Sequence, residues 1–446
     1  MQPLIIPRRK HNISRTQLSP NALRTLYRLR DNGFIAYLIG GCVRDLLLGR
    51  IPKDFDVVTD ASPGQIKRLF RNCRLIGRRF RLAHLYFQDE ILEVSTFRAK
   101  PNGDAELAEG TDQRDVGERH RRHPRHLINE DGMVLRDNVF GTPEEDALRR
   151  DFTVNALAYN IADATVIDYT TGLSDLKACL LRPIGDPLIR FTEDPVRMLR
   201  AVRFAASHDL RIEPATWGIL CELAPTICRA SPARLYEEVL KLFLLGAARP
   251  ALDLLEKSGL LPPLFPGLYR WLTRESRHHT ILASALDHLD QLYREDSPPS
   301  TLLFLATFFG PALETEALLR QRDGMPRQQS LEMGCGAFME ELCRTVQVPA
   351  RIAGRLRNIL AMQASLCRMP PRRPASQVDR LDFSDAIAYL RVRAKTRGEN
   401  LSALKWWEAF LAGNVPVAEP SSPSHKRPKR RRRKRRRRPP VSPQDG

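Results

Sequence analysis

Strand patterns in this 446-residue chain are confined to about the first 170 residues, and helical periodicity dominates from there to about residue 411. The strand patterns are FIAYLIGG, FDVVT, CRLIG, FRLAHLYF, ILEVSTF and ATVIDY, with the helix-like VRDLLLG between the first two. Strands that come first, with helices afterwards, favour layers that are segregated along the chain. We therefore predict an α+β fold, in which a head of strands and helices is followed by an all-helical remainder.

Composition shifts divide the chain further. We predict a flexible basic leader over residues 1–18, the head over 19–180, a helical neck over 181–265, a helical body over 266–412 and a disordered basic tail over 413–446. The tail lacks apolar periodicity and is rich in proline, serine and arginine, a composition that does not support a packed core. The charged stretch over residues 99–132 is predicted to be a flexible insertion.

Charge indicates the kind of partner. The chain has 71 Lys+Arg against 52 Asp+Glu, a formal net charge of +19. Twelve basic residues lie between Lys426 and Arg438, so the rest of the chain still carries about +7. A basic body with a more basic tail predicts a polyanionic partner, most simply nucleic acid, although such a tail can also serve solubility or targeting.

Cysteine usage and hydropathy point to a cytoplasmic protein. The eight cysteines form no CxxC pair, which argues against a zinc ribbon and suggests no disulfide framework. No run approaches 18 apolar residues, so we predict no membrane span and reduced thiols.

The segment YLIGGCVRDLLLGR predicts a strand, a tight turn and a helix. The paired Gly40 and Gly41 allow the backbone to approach a ligand closely, because neither carries a Cβ. Arg44 follows one turn into the helix, and a phosphate group suits such a place. A double glycine before a helix is often only a tight turn, so this pattern is weak on its own.

The segment PKDFDVVTDA places two acidic residues in a short apolar run. Asp54 and Asp56 would share one face of a strand, where two carboxylates repel each other unless a cation lies between them or one is protonated. Carboxylate oxygens suit Mg²⁺ better than zinc. The alternative is a solvated strand end with ion pairs to Lys53 or Arg50.

A third carboxylate is expected nearby. Glu93 lies on the later strand ILEVSTF, and Asp151 lies in RRDFTVNALAY, which we predict to begin a helix. Asp151 could equally be a helix N-cap, with Val154, Leu157 and Ala158 packed into the core.

The segment EDPVRMLRAVRF predicts one helical face with an acid and three guanidinium groups. Asp194 is followed at three-residue intervals by Arg197, Arg200 and Arg203. Such spacing commonly marks an exposed helix with ion pairs. The functional alternative is nucleotide selection, because an Asp that accepts from an exocyclic amine and an Arg that donates to a ring nitrogen would admit A and C and refuse G and U.

In their order and spacing, the motifs GGCVRDLLLG, KDFDVVTDA, EVSTFR, RRDFTVNALAY and EDPVRMLRAVRFAA resemble the family of class II tRNA nucleotidyltransferases and bacterial poly(A) polymerases. The resemblance covers about residues 20–265. It implies a polymerase beta-like nucleotidyltransferase head with a mixed sheet and helices, followed by an all-helical neck and body. It also implies Mg²⁺-dependent addition of nucleotides to RNA 3′ ends. It implies that Asp54 and Asp56 hold the metal and are catalytic, and that Asp151 is a further catalytic acid. The residues that it implies for substrate binding are Gly41, Arg44, Arg150, Asp194, Arg197, Arg200 and Arg203.

Two features favour poly(A) addition within this family. CCA-adding members commonly carry Gly-Thr shortly after the third strand, where this chain has LIGRRFRLAHLYF, and the arginine-rich tail resembles the poly(A) subgroup. We predict template-independent addition of AMP from ATP to RNA 3′ ends with release of pyrophosphate. The alternatives are a CCA-adding tRNA nucleotidyltransferase and a non-catalytic RNA-binding protein on the same fold. RNA-decay proteins are further candidate partners, and the sequence indicates no oligomeric state.

Overall fold

The structure is a computed structural model that describes residues 2–77, 82–99, 126–128, 134–137 and 140–414. Its strands are β1 (Leu4–Ile6), β2 (Ala36–Ile39), β3 (Asp56–Thr59), β4 (Cys73–Ile76), β5 (Leu82–Tyr86), β6 (Ile91–Thr96), β7 (His126–Ile128), β8 (Val134–Asp137), β9 (Ala158–Asn160), β10 (Thr165–Asp168), β11 (Leu180–Leu181) and β12 (Arg211–Ile212). Short 3₁₀ turns occur at Arg8–Lys10, Arg15–Gln17, Thr153–Asn155 and Ala224–Arg229.

The helices are concentrated in the second part of the chain. Those that accompany the strands are α1 (Pro20–Asp31), α2 (Gly41–Leu47), α3 (Pro63–Leu69), α4 (Pro143–Leu148) and α5 (Gly172–Lys177). The helical region then comprises α6 (Pro187–Glu193), α7 (Val196–His208), α8 (Pro214–Leu223), α9 (Pro232–Phe243), α10 (Ala248–Lys257), α11 (Leu261–Leu264), α12 (Pro266–Arg274), α13 (Ser276–Arg294), α14 (Thr301–Arg322), α15 (Arg327–Cys343), α16 (Ala350–Leu366), α17 (Pro374–Val378), α18 (Phe383–Arg397) and α19 (Leu401–Leu411).

The head is built on an eight-stranded mixed sheet in the order β1-β10-β9-β2-β3-β6-β5-β4. Strands β3 and β6 are parallel, whereas the other neighbouring pairs of this sheet are antiparallel. Alternate residues of β5 and β6 are buried, as expected for strands with one face on the core. The parallel pair matters most for function, because it places the first residue of β3, Asp56, beside Glu93, the third residue of β6.

The prediction of a flexible leader over residues 1–18 is wrong for the part that the structure describes. Residues Leu4–Ile6 form the edge strand β1 and pair with β10, and the Ile13 side chain is fully buried. A three-residue strand carries too little periodicity to be recognised from its sequence. The ladder to β10 and the burial of Ile13 nevertheless anchor this segment to the head.

The prediction of a helix that begins in RRDFTVNALAY is also wrong. Thr153–Asn155 form a single 3₁₀ turn, and Ala158–Asn160 continue as strand β9, between β10 and β2. The expected burial is nevertheless correct, because Val154, Leu157 and Ala158 are all within the core. Pairing on both edges of β9 outweighs the local helical pattern.

The helical region packs around α14. Phe304, Phe308 and Phe309 of this helix meet Phe243 and Phe265 in a buried aromatic cluster. Among the described residues, α14 alone is long and apolar enough to cross a membrane, and 72% of its most apolar window is buried inside the protein. That burial is the environment of a core helix.

The predicted all-helical remainder contains one exception, the short parallel pair of β11 and β12. The insertion predicted over residues 99–132 lies outside the described residues, apart from Ala99 and strand β7, which pairs with β8. The predicted tail lies outside them from residue 415 onward.

Candidate active site

The turn between β2 and α2 forms one wall of the site. Gly40 has φ +83° and ψ −135°, a conformation that residues with a side chain rarely adopt. A Cβ at this position would lie 3.0 Å from Nη1 of Arg150 and 4.0 Å from Oδ2 of Asp56. The glycine therefore brings the backbone close to both a guanidinium and a carboxylate. The close approach is made by Gly40, whereas the sequence resemblance implies ligand contact for its neighbour Gly41.

Three carboxylates meet at the start of the parallel strands. Asp56 is the first residue of β3 and stands in register with Glu93 of β6, and Asp54 lies in the loop just before β3. The two aspartates therefore do not share a strand as the sequence predicts. Although Asp56 has exposed surface, burial of its carboxyl group raises its pKa to about 6, with Glu93 and Asp54 adding to the shift and Arg150 opposing it.

Asp151 has a different environment. Its carboxylate accepts hydrogen bonds from the Phe152 backbone N–H at 2.8 Å, from Asn155 at 3.2 Å and from Arg200 at 2.6 Å. Burial alone would raise the pKa of Asp151, but the Arg200 guanidinium outweighs it and holds that pKa well below its usual value. Asp151 therefore forms an ion pair with Arg200. Of the two candidates for the third carboxylate, Glu93 is the one that lies beside Asp56 on the neighbouring strand.

The two arginines predicted to face phosphates differ in availability. Arg150 is partly exposed beside Gly40, and Asp146 accepts from its Nε at 3.2 Å. Arg44 is only 4% exposed and donates to Asn155 Oδ1 at 2.6 Å while it pairs with Asp45 at 2.8 Å. Arg150 therefore lies beside the carboxylates and keeps some exposed surface, whereas Arg44 is buried and links α2 to the 3₁₀ turn Thr153–Asn155.

The residues predicted to read the nucleotide have other partners in this structure. Asp194 precedes α7 and accepts two hydrogen bonds from Arg234, at 2.9 and 2.7 Å. Arg197 donates to the carbonyl oxygen of Arg190 at 2.8 Å and to Glu193 at 3.0 Å. The Asp194 and Arg197 side chains are thus held by neighbours on different elements.

The remaining arginines of α7 form a row of ion pairs. Arg200 pairs with Asp151, and Arg203 pairs with Glu238 of helix α9. Both guanidinium groups also lie over the Phe204 ring, at 5.2 and 4.2 Å from its centroid. Asp151 and Glu238, both largely buried, thus neutralise the charges of Arg200 and Arg203.

Sequence reasoning missed several supporting residues. Arg234 and Glu238 are spaced by four residues in SPARLYEEV, so they lie on one face of α9, and that face meets α7. Arg190 donates to the carbonyl oxygens of Arg149, at 2.7 Å, and Arg150, and thereby fixes the RRDF segment. The four-residue spacing of Arg234 and Glu238 could have indicated a charged face on α9, whereas the Arg190 contact follows only from the tertiary structure.

The α+β head carries acidic side chains where β3 and β6 begin to pair, and the Gly40 turn and Arg150 lie next to them. This arrangement is that of a nucleotidyltransferase. The chain belongs to the poly(A) polymerase I family. Poly(A) polymerase I of Salmonella typhi is 42% identical over 419 residues, which are 92% of this chain and 86% of that protein.

Family models cover three parts of the chain. The poly A polymerase head domain matches residues 36–182. The probable RNA and SrmB-binding site of polymerase A matches residues 209–272, and the polymerase A arginine-rich C-terminus matches residues 323–439. The last match extends over part of the predicted basic tail.

CCA-adding enzymes are more distant in sequence but share the fold. The CCA-adding enzyme of Bacillus licheniformis is 34% identical over 247 residues, 55% of this chain and 55% of that protein. The crystal structure of the Bacillus stearothermophilus CCA-adding enzyme in complex with CTP covers 89% of this chain and 83% of its own, with a TM-score of 0.58 at 24% identity. The predicted family, the polymerase beta-like head, the nucleotidyltransferase class and the choice of the poly(A) subgroup are confirmed.

Proposed function

We propose that this chain adds AMP residues from ATP to RNA 3′ ends without a template and releases pyrophosphate. The observation that carries this function is the group of Asp54, Asp56 and Glu93 at the start of the parallel strands, beside the Gly40 turn and Arg150. The relationship to poly(A) polymerase I over 92% of the chain supports ATP as the nucleotide.

The carboxylate group fits a divalent cation. The raised pKa of Asp56 reflects poorly solvated, mutually repelling carboxylates, and a bound cation would relieve that repulsion. The donors are carboxylate oxygens, which suit Mg²⁺, and nucleotidyltransferases generally depend on this ion. Asp54 and Asp56 would hold it, with Glu93 beside them. When bound, Mg²⁺ would neutralise charge on the phosphates and favour ionisation of the attacking 3′-hydroxyl.

The protein groups around the carboxylates bind and orient the triphosphate. Arg150, between Asp146 and the Gly40 turn, is placed to donate to phosphate oxygens next to the acidic group. The Gly40–Gly41 turn lets the substrate approach the backbone. Arg44, Arg200 and Arg203 remain candidates for the substrate, and their present partners imply that they act mainly by holding the walls of the site.

Base selection would fall to the segment that begins α7. In the proposed complex, Asp194 accepts from the adenine amine and Arg197 donates to the ring nitrogen. Each side chain already has a partner, Arg234 for Asp194 and Glu193 for Arg197, and these partners would hold the two groups in fixed orientations.

RNA would bind mainly through its phosphates. The net charge of +19 and the arginine-rich tail provide affinity that depends little on sequence. The match of residues 209–272 to a probable RNA and SrmB-binding site supports an RNA contact in the helical region and a protein partner there. A cytoplasmic location is consistent with the eight cysteines, which are all free.

Extension of an RNA primer with single nucleoside triphosphates tests this function. ATP alone with Mg²⁺ should give long ladders, and CTP alone should give little extension. Growth that depends on CTP and stops after a few nucleotides would contradict the proposal and favour CCA addition. A variant with Asp54→Ala and Asp56→Ala provides the inactive control, which should still bind RNA.

A further inference from the structure

The loop that carries Asp54 is attached to the helical region at two points. This loop, residues 49–55, connects α2 to β3. Nη1 of Arg50 donates to the carbonyl oxygen of Ser207 at 2.9 Å, near the end of α7. Nζ of Lys53 lies 4.8 Å from the centroid of the Tyr293 ring, in the last turn of α13. The residue directly before Asp54 therefore contacts an aromatic side chain from a distant part of the chain.

The Tyr293 ring is itself fixed in place. Gly246, with φ +79°, lies against the ring so closely that a Cβ there would overlap it. Three residues before Tyr293, the Asp290 carboxylate accepts from the backbone N–H groups of Ala248 and Arg249, at 2.7 and 2.9 Å. These bonds tie α13 to the first turn of α10. The ring is thus a rigid platform beneath the Lys53 ammonium.

Asp54 needs such support because the sheet does not provide it. The ladder between β3 and β6 begins at Asp56, so the backbone of Asp54 lies outside it. Ile51 in the same loop is 93% exposed and offers no packing, whereas Pro52 and Phe55 are buried. An unrestrained ammonium at position 53 could also pair with Asp54 or Asp56 and compete with a cation for them.

We propose that Tyr293, acting through Lys53, is a positioning residue that fixes the Asp54 loop and thereby sets the affinity of the carboxylate group for its divalent cation. The proposal rests on the proposed function, since it takes Asp54 and Asp56 as the cation ligands. A cation–π contact at a partly exposed site corresponds to a change of about two- to fivefold in a binding constant.

The test measures Mn²⁺ binding to the full chain by electron paramagnetic resonance of the free ion, without ATP or RNA. The variant with Asp54→Ala and Asp56→Ala defines the background. Tyr293→Leu should raise the Mn²⁺ dissociation constant about two- to fivefold, and hydrogen exchange over residues 49–56 should become faster. Lys53→Met removes the same contact together with a positive charge beside the carboxylates, so it should also make this exchange faster, and in its background Tyr293→Leu should not weaken Mn²⁺ binding further.

Conservative variants separate positioning from a general loss of structure. Tyr293→Phe keeps the ring, and Lys53→Arg keeps a cation that stacks on it, so both should retain wild-type Mn²⁺ affinity. Tyr27→Leu is the matched control, since it removes a ring under Arg30, at 4.7 Å on helix α1, outside the site. It should leave Mn²⁺ affinity unchanged. If Tyr293→Leu does not fold, hydrogen exchange over residues 49–56 in Lys53→Met carries the test, because Lys53 is exposed.

Unchanged Mn²⁺ affinity in Tyr293→Leu would overturn the proposal, as would unchanged hydrogen exchange in Lys53→Met or an equal loss of Mn²⁺ affinity in Tyr27→Leu. The failure of the proposed function looks different. In that case the wild-type chain would bind Mn²⁺ at the carboxylates and respond to Tyr293→Leu but would not extend RNA with ATP.

Discussion

Substitution of Gly40 by alanine probes the geometry of the site most directly. At φ +83° and ψ −135°, a residue with a Cβ is strained, which costs about 1–3 kcal/mol of folding free energy. The new Cβ would lie 3.0 Å from Nη1 of Arg150, so the guanidinium must move by a few tenths of an ångström. Gly33→Ala is a matched control, because Gly33 has φ +85° but a Cβ there would meet nothing within 4 Å.

Both variants can be compared by urea unfolding and by steady-state AMP addition. Gly40→Ala should lower the unfolding free energy by about 1–3 kcal/mol and reduce kcat/KM for ATP at least tenfold, which is ~1.4 kcal/mol of transition-state stabilisation. Gly33→Ala should lower stability by about 1 kcal/mol and leave kcat/KM unchanged. Equal activities in the two variants would show that displacement of Arg150 has no catalytic consequence and would refute the reasoning.

Two further predictions concern buried carboxylates. The pKa of Asp56, about 6 in the folded chain against an ordinary 3.8, means that stability is lost as pH rises through 6, so without metal Asp56→Asn should unfold at higher urea than wild type at pH 7.5. This gain in stability of Asp56→Asn over wild type should vanish below pH 3.8, and a stability difference that does not change with pH would contradict the prediction. Asp151→Asn should lower the unfolding free energy at pH 7 by about 3 kcal/mol, the low end for a broken buried pair because Glu238 stays 3.9 Å from Arg200. Since the pKa of Asp151 is lowered, this loss should shrink as pH falls below 3.8, and a variant as stable as wild type at pH 7 would exclude the role assigned to the pair.

Local patterns in the sequence were sufficient for the parts of the site that depend on a few consecutive residues. The glycine turn, the two aspartates and the basic RRDF segment each lie within a short stretch, and the sequence identified them as candidate site residues. The partner of Asp56 was harder to identify, because Glu93 reaches it through the parallel register of β3 and β6. Glu93 was recognised only as one of two candidates for a third carboxylate.

Contacts between distant elements were not predictable in this way. Helical spacing placed Arg200 and Arg203 on one face of α7, but Asp151 and Glu238, which neutralise them, come from a loop and from α9. Similarly, β1 has three residues, and only its pairing with β10 defines it as a strand. Sequence periodicity predicts which residues share one face of a helix or strand. It does not predict which other element packs against that face.

The pairing of β1 with β10 has a consequence for synthesis on the ribosome. Leu4 stands opposite Asp168, so β1 has to wait for a partner that is translated more than 160 residues later. At common rates of translation this delay is roughly ten to thirty seconds. Leu4 and Ile5 are 55% exposed even in the finished sheet. Until β10 is made, the backbone of β1 also lacks its pairing partner, and an unpaired apolar strand is open to unwanted pairing with other strands.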